Sequence, residues 1–302
     1  MSEKRKHRIL YNPTFGGFIF TVMICAYVVI SFVGHLVLER VGITDGVVYY
    51  VINAMFSILA MFTVTKVVEI KRQEKRHFLH HFEKCNPKYL LFAIIFAVGM
   101  FLGLGFANSL IASIFKDVSE HASGNTLPLN SFINYLIFTV FYAIIPAIEE
   151  EVFFRGLLYE NLEHSNKVGT VLSLAFVFSV YHSSIHQTLY QFVYGLGLTV
   201  LVIKSGSIIP TMIAHFLNNF AVLSIEYFKI PLDLFNPIVI VIGVILLVVF
   251  VLLIVFDKYH APLHPLEEGQ KPKEKLYEFF FPYGIFGVAI CILMIALGAV
   301  VQ

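Results

Sequence analysis

The chain has 302 residues, 58% of them hydrophobic and 14% charged, with a formal net charge of +1. So apolar a composition excludes an ordinary soluble domain, and so small a net charge offers no global attraction to nucleic acid. The expected fold is all-α, a polytopic transmembrane helix bundle of eight to nine spans, with residues 1–302 forming a single membrane domain.

Crossing a hydrocarbon core about 30 Å thick takes about 20 mostly apolar residues in a helix, because the lipid offers backbone polar groups no partners. The basic stretch Lys4, Arg5, Lys6 and Arg8 precedes an apolar run at 15–38. That run is too long for a signal-peptide core and ends without a small-residue cleavage pattern, so it reads as the first span. Further spans are predicted at 47–66, 89–115, 132–158, 168–185, 187–204, 206–228, 235–256 and 279–301. With the amino terminus in the cytoplasm, only Arg40, Lys116 and Lys229 among the Lys and Arg residues fall on the outer side, and Arg155 lies within a span. This distribution follows the positive-inside rule.

The segment 66–88 contributes most, through Lys71, Arg72, Lys75, Arg76 and Lys84, and reads as a topology determinant against an anionic leaflet. His77, His80 and His81 in the same stretch read as solvated rather than metal-holding. The loop 257–278, with Pro262, Pro265 and Pro272, reads as a cytoplasmic connector. Cys25, Cys85 and Cys291 are odd in number and far apart, which suggests neither a disulfide framework nor a cysteine-ligated zinc site. A multi-pass protein of a bacterial plasma membrane is the expected setting, since no organelle retention signal is evident.

Charged side chains at bilayer depth cost on the order of 3 kcal/mol each on insertion scales, so a cluster of them marks a site. The fourth span carries Glu149, Glu150 and Glu151 after Pro146 and before Arg155. Glu151 and Arg155 are four residues apart and can pair on one helical face, which leaves Glu150 on another. An unpaired carboxylate in a low-dielectric pocket can take a proton from water and hand it on, as a general base does. The competing reading is an interfacial cap on a helix that stops near Ile148.

Phe178 and His182 share a face of the fifth span, and His215 and Asn219 share one of the seventh. If those helices begin near Lys167 and Lys204, and the fourth ends near Asn161, then Glu150, His182 and His215 lie at a common depth of about 15–20 Å. Convergence of that kind favours catalysis or metal binding. In the catalytic reading Glu150 activates a water that His182 helps to hold, and His215 and Asn219 stabilise an oxyanion. Pro146 and Pro210 are placed to kink their helices and open space for substrate.

These residues resemble the motifs of the CPBP (CAAX protease and bacteriocin-processing, or Abi) family of intramembrane endopeptidases, which includes the type II CAAX prenyl endopeptidases. The first motif is matched by Glu150, Glu151 and Arg155, the second by Phe178 and His182, and the third by His215 and Asn219, in family order over 134–220. The resemblance implies hydrolysis of peptide bonds in membrane-associated or CAAX-like substrates. Glu150 would be the base, His182 its partner, and His215 with Asn219 the oxyanion donors, with Glu151, Arg155 and Phe178 supporting the site.

No cofactor is expected, because the spacing lacks the HExxH ligand pair of zincins and a glutamate-activated water needs no metal. The alternative is zinc held by Glu150, His182 and His215, and His186 lies one turn beyond His182. Expected partners are a peptide or membrane-protein substrate and the lipid bilayer, with a membrane partner protein as a further option and no nucleic acid. The competing function is a catalytically silent membrane scaffold or immunity protein of the same family, against which the intact motifs speak. A proton-coupled transporter is a third reading, disfavoured because the polar residues gather in mid-chain with no matching half.

Overall fold

The computed structural model describes residues 12–72, 84–114, 127–163, 165–258 and 275–301. The basic stretch Lys4 to Arg8, Lys75, Arg76, the histidines His77, His80 and His81, Lys116, and the prolines Pro262, Pro265 and Pro272 lie outside them. Among the described residues the fold consists of helices and contains no strand. They are α1 (Pro13–Arg40), α2 (Gly46–Arg72), α3 (Lys88–Ile114), α4 (Phe132–Leu162), α5 (Lys167–Tyr181), α6 (Ile185–Ser205), α7 (Ile209–Phe228), α8 (Pro237–Phe256) and α9 (Ile285–Val301). Every predicted span has its helix.

Seven helical runs are long and apolar enough to cross a membrane, namely α1 to α4, α6, α8 and the run Tyr277–Leu297 that leads into α9, and the chain is a multi-pass membrane protein. α5 has only 15 residues, and α7 carries His215, Asn218 and Asn219 among its apolar residues. The side chains left outside the bundle are lipid-compatible: Val241, Val248, Leu252 and Val255 of α8 are all exposed. A contiguous apolar exterior of this kind belongs in a bilayer.

Polar residues at the helix ends satisfy the first backbone N–H groups. Side-chain oxygens of Asn12, Ser131, Asn166 and Asn236 accept from the first turns of α1, α4, α5 and α8 at 2.9, 3.2, 3.0 and 2.9 Å. Gly206 ends α6 in the left-handed region at φ 67°. Pro210 is the second residue of α7, so it starts that helix and does not kink it; a first-turn proline forfeits no hydrogen bond. Pro146 sits inside α4, and the chain just before it widens into a π-helical stretch, Thr139–Ile144. A second π stretch, Val152–Leu158, carries Arg155. α4 runs unbroken through the three glutamates, so they are not an interfacial cap.

Helices in lipid associate through close packing and hydrogen bonds, because hydrocarbon supplies no hydrophobic drive between them. α3 and α8 meet backbone to backbone at Gly103 and Gly243: a Cβ on Gly243 would lie 2.0 Å from the Gly103 nitrogen. Alanine gains about 1 kcal/mol over glycine in a helix interior, but overpacking here costs about 1–3 kcal/mol or more, so the steric effect wins. Gly243→Ala is therefore expected to lower the thermal midpoint of the protein in detergent, and an unchanged midpoint would show that the two helices can part at little cost. Nearby, Phe96 of α3 stacks on Tyr194 of α6 with ring centres 5.1 Å apart and meets Phe250 of α8 at 4.7 Å.

At the opposite end of α2 from Gly46, Arg72 Nη1 donates to Glu160 Oε2 of α4 at 2.6 Å, with both side chains buried. Arg72, from the basic segment read as a topology determinant, thus also joins the helix ends. Asn161 Oδ1 accepts the Asn12 backbone N–H at 3.2 Å and links α1 to the same corner.

Candidate active site

Glu150 faces the bundle interior from α4, with its side chain 10% exposed. Its Oε2 is buried and has no hydrogen-bond partner among the described residues. Two imidazoles approach that oxygen: His182 Nε2 at 3.8 Å and His215 Nε2 at 3.9 Å. Both separations exceed hydrogen-bond length, so three polar groups on three elements face one another without bonding directly.

The opposite ring nitrogens are committed. His182 Nδ1 lies 2.8 Å from the Phe178 carbonyl, and His215 Nδ1 lies 2.9 Å from Glu151 Oε1. A carbonyl and an ionised carboxylate can only accept, so in each ring Nδ1 carries the proton and the neutral ring turns an Nε2 lone pair toward Glu150. His215 can donate from Nε2 only as the imidazolium, whose charge the Glu151 carboxylate is placed to offset.

Glu151 and Arg155 build the wall behind this group. Arg155 Nη1 donates to Glu151 Oε1 at 3.0 Å, and both side chains are 0% exposed. The same Oε1 takes the His215 Nδ1–H, so one oxygen joins α4 to α7. The Arg155 guanidinium lies 4.2 Å from the centre of the Phe178 ring, a cation–π contact that joins α4 to α5. Phe178 is thus held at both ends, since its carbonyl orients His182. Arg155 Nη2 also reaches the Gly195 carbonyl of α6 at 3.4 Å. A Cβ on Gly195 would lie 2.9 Å from Ala175 Cα, so the glycine lets α6 pack closely against α5.

His182 stands at the end of α5, where the sequence suggests a helix interior. The helix stops at Tyr181, and Ser183 takes φ 49°, so the chain reverses at once into α6. Hydroxyls satisfy carbonyls exposed by this turn: Ser183 donates to Tyr181 O, Ser179 to Thr188 O and Thr188 to Ser184 O at 3.2, 2.6 and 2.7 Å. α7 likewise begins at Ile209 and not near Lys204, because Ser205, Ser207 and Ile208 form a buried connection closed by serine hydroxyls. The expected common depth of the histidines therefore rested on one wrong helix start, that of α7, while α5 begins at Lys167 and α4 ends at Leu162 close to expectation, and the contacts bring both histidines to one carboxylate.

Asn219 lies one turn beyond His215 and is half-buried, with its Oδ1 accepting from Asn218 Nδ2 at 3.2 Å. Glu149 points away from the group, toward α2, where Ser57 Oγ lies 3.4 Å from its Oε1. Among the described residues His186 Nδ1 is buried without a partner, and His186 makes no ion pair with Glu150.

No group of three or more His, Cys, Asp or Glu side chains among the described residues is arranged to hold a metal ion. By donor type Glu150, His182 and His215 suit zinc, and the Nδ1 partners of both histidines are those that orient metal-bound imidazoles. Zinc–ligand bonds of about 2.0–2.2 Å at the tetrahedral angle place ligands about 3.3–3.5 Å apart. The trio at 3.8 and 3.9 Å is wider than that and would have to contract.

Motif spacing missed several contributors. Gly195 of α6 and Asn218 of α7 touch motif residues, and Tyr190 of α6 reaches Asn218, which only a three-dimensional arrangement shows. The doubled asparagine at 218–219 was the one signal available in the sequence.

Residues 132–221 match the family model of the type II CAAX prenyl endopeptidase Rce1-like proteins. No match was found among curated proteins or among solved structures. The matched stretch holds Glu150, Glu151, Arg155, Phe178, His182, His215 and Asn219, so the residues of all three motifs lie where the chain is similar to the Rce1-like type II CAAX prenyl endopeptidases.

Proposed function

We propose that the protein is an intramembrane endopeptidase that hydrolyses peptide bonds of membrane-associated or CAAX-like substrates with a water activated by Glu150. The observation that supports this reading best is the approach of two imidazole Nε2 atoms, each with its Nδ1 already engaged, to the one unpaired buried oxygen of Glu150. In the proposed reaction Glu150 removes a proton from water while the water oxygen attacks the peptide carbonyl. His182 holds the water through its Nε2 lone pair. His215, as the imidazolium, and the Asn219 amide donate to the carbonyl oxygen as it gains charge, a form of stabilisation worth about 3–4 kcal/mol per donor. Glu150 then delivers the proton to the departing amine nitrogen, and the C–N bond breaks.

Residues 1–302 are proposed to act as one membrane domain with the amino terminus in the cytoplasm, a topology supported by the distribution of Lys and Arg. The competing scaffold role gains no support from a site in which every motif residue is present and five of them are joined by hydrogen bonds or ring contacts.

The test is cleavage by purified protein of a farnesylated CAAX-type peptide and of a library of membrane-inserted peptides, with and without a chelator. Hydrolysis that continues in chelator is the expected result. Hydrolysis lost in chelator and restored by zinc would make Glu150, His182 and His215 ligands, the metal then supplying Lewis-acid activation of water. A folded protein that cleaves neither probe while still complementing a deletion would establish the scaffold reading.

A further inference from the structure

The proposed oxyanion role of Asn219 requires its amide to present N–H and not C=O. The two ends of an amide are nearly equal in shape, so only the hydrogen-bond network decides which one faces the site. Neighbouring residues on a helix point about 100° apart and do not normally meet. Asn218 and Asn219 nonetheless do, with Asn218 Nδ2 donating to Asn219 Oδ1 at 3.2 Å.

Asn218 is itself fixed from α6. The Tyr190 hydroxyl donates to Asn218 Oδ1, the amide oxygen being the acceptor. Tyr190 is buried, and its ring stacks on Tyr194 with centres 5.8 Å apart, so the hydroxyl is held in place.

The chain of bonds therefore has a direction: Tyr190 O–H to Asn218 Oδ1, then Asn218 N–H to Asn219 Oδ1. This occupies the oxygen of Asn219 and leaves its two N–H groups to donate. Were the chain reversed, Asn219 would donate to Asn218 and turn its carbonyl outward, where it would repel a developing oxyanion.

We infer that Tyr190 and Asn218 are positioning residues for peptide hydrolysis, which set the Asn219 amide so that it donates toward the reacting carbonyl. The inference rests on the oxyanion role proposed above.

The experiment measures kcat and KM in detergent for the best-cleaved member of the membrane-peptide library, in Asn219→Ala, Tyr190→Phe and Asn218→Asp and in each double variant with Asn219→Ala. Loss of one oxyanion donor lowers kcat by about 10²–10³-fold, which sets the scale for Asn219→Ala. Asn218→Asp keeps the shape and the acceptor for Tyr190 but leaves no donor toward Asn219, so the Asn219 amide should turn over, and kcat should fall by about 10²-fold with KM little changed. Tyr190→Phe removes one hydroxyl and should lower kcat about 3–10-fold, a fraction of the full donor effect.

In the Asn219→Ala background neither substitution should lower kcat further. Effects that multiply with Asn219→Ala indicate a general structural defect and overturn the inference, as does an unchanged kcat in both single variants. Tyr190→Phe carries the test alone if Asn218→Asp fails to fold. Full activity of Asn219→Ala, or a wild type that cleaves no member of the library, overturns the oxyanion reading itself and this inference with it.

Discussion

Glu150→Gln is expected to lower peptide hydrolysis by about 10²–10⁴-fold, the usual contribution of a positioned general base, while the protein stays folded. The substitution keeps the shape of the side chain and removes the group that accepts a proton from water. It breaks no direct bond at Glu150 Oε2, which lies 3.8 and 3.9 Å from the two imidazoles. The new amide can donate to an Nε2 lone pair, and a buried charge is relieved, so the thermal midpoint in detergent should hold or rise. Rates on the farnesylated peptide and the peptide library, read together with the melting curve, separate the outcomes. An active Glu150→Gln protein would remove Glu150 from the chemistry, and an inactive, unfolded one would make it structural.

Arg155→Met is expected to act in the opposite way, on stability first. Arg155 and Glu151 are both fully buried, and the guanidinium also covers the Phe178 ring. Removing one partner of such a pair strands the other charge, at a cost of about 3–5 kcal/mol. Lysine should rescue poorly, because it lacks the planar fork that reaches Glu151 and Gly195 while stacking on the ring. Adding Glu151→Gln to Arg155→Met should recover part of the loss, since glutamine carries no charge and still offers an oxygen to His215 Nδ1–H. Thermal midpoints of wild type, both single variants and the double variant form the cycle. A double variant no more stable than Arg155→Met would show that packing around Phe178, and not the stranded carboxylate, dominates.

The contrast between these two glutamates was partly legible in the sequence. The four-residue spacing of Glu151 and Arg155 announces a shared face, and α4 carries that pair as expected. The helices were legible for a similar reason, because lipid demands long apolar runs and the chain supplies them. The ends of α5 and α7 were not. His182 sits in a sequence apolar enough to continue the helix, and only the left-handed Ser183 and a set of serine and threonine hydroxyls stop it. The partner of Arg72 was not legible, because a basic run looks the same whether a given side chain meets the leaflet surface or Glu160 from another helix. The convergence on Glu150 Oε2 is a matter of a few ångströms between helices, which spacing along one chain does not encode.

The brevity of α5 bears on how water reaches Glu150. Fifteen residues rise about 22 Å, against a hydrocarbon thickness of about 30 Å, and any tilt shortens that reach. With the exposed Lys167 at one interface, the turn at His182 must lie below the other. The last two turns of α5 are buried against other helices, so the depth that this helix leaves unspanned is enclosed by protein and not by lipid. Any water that reaches Glu150 would then descend through the bundle from above the turn, and the length of one helix sets how far it has to travel.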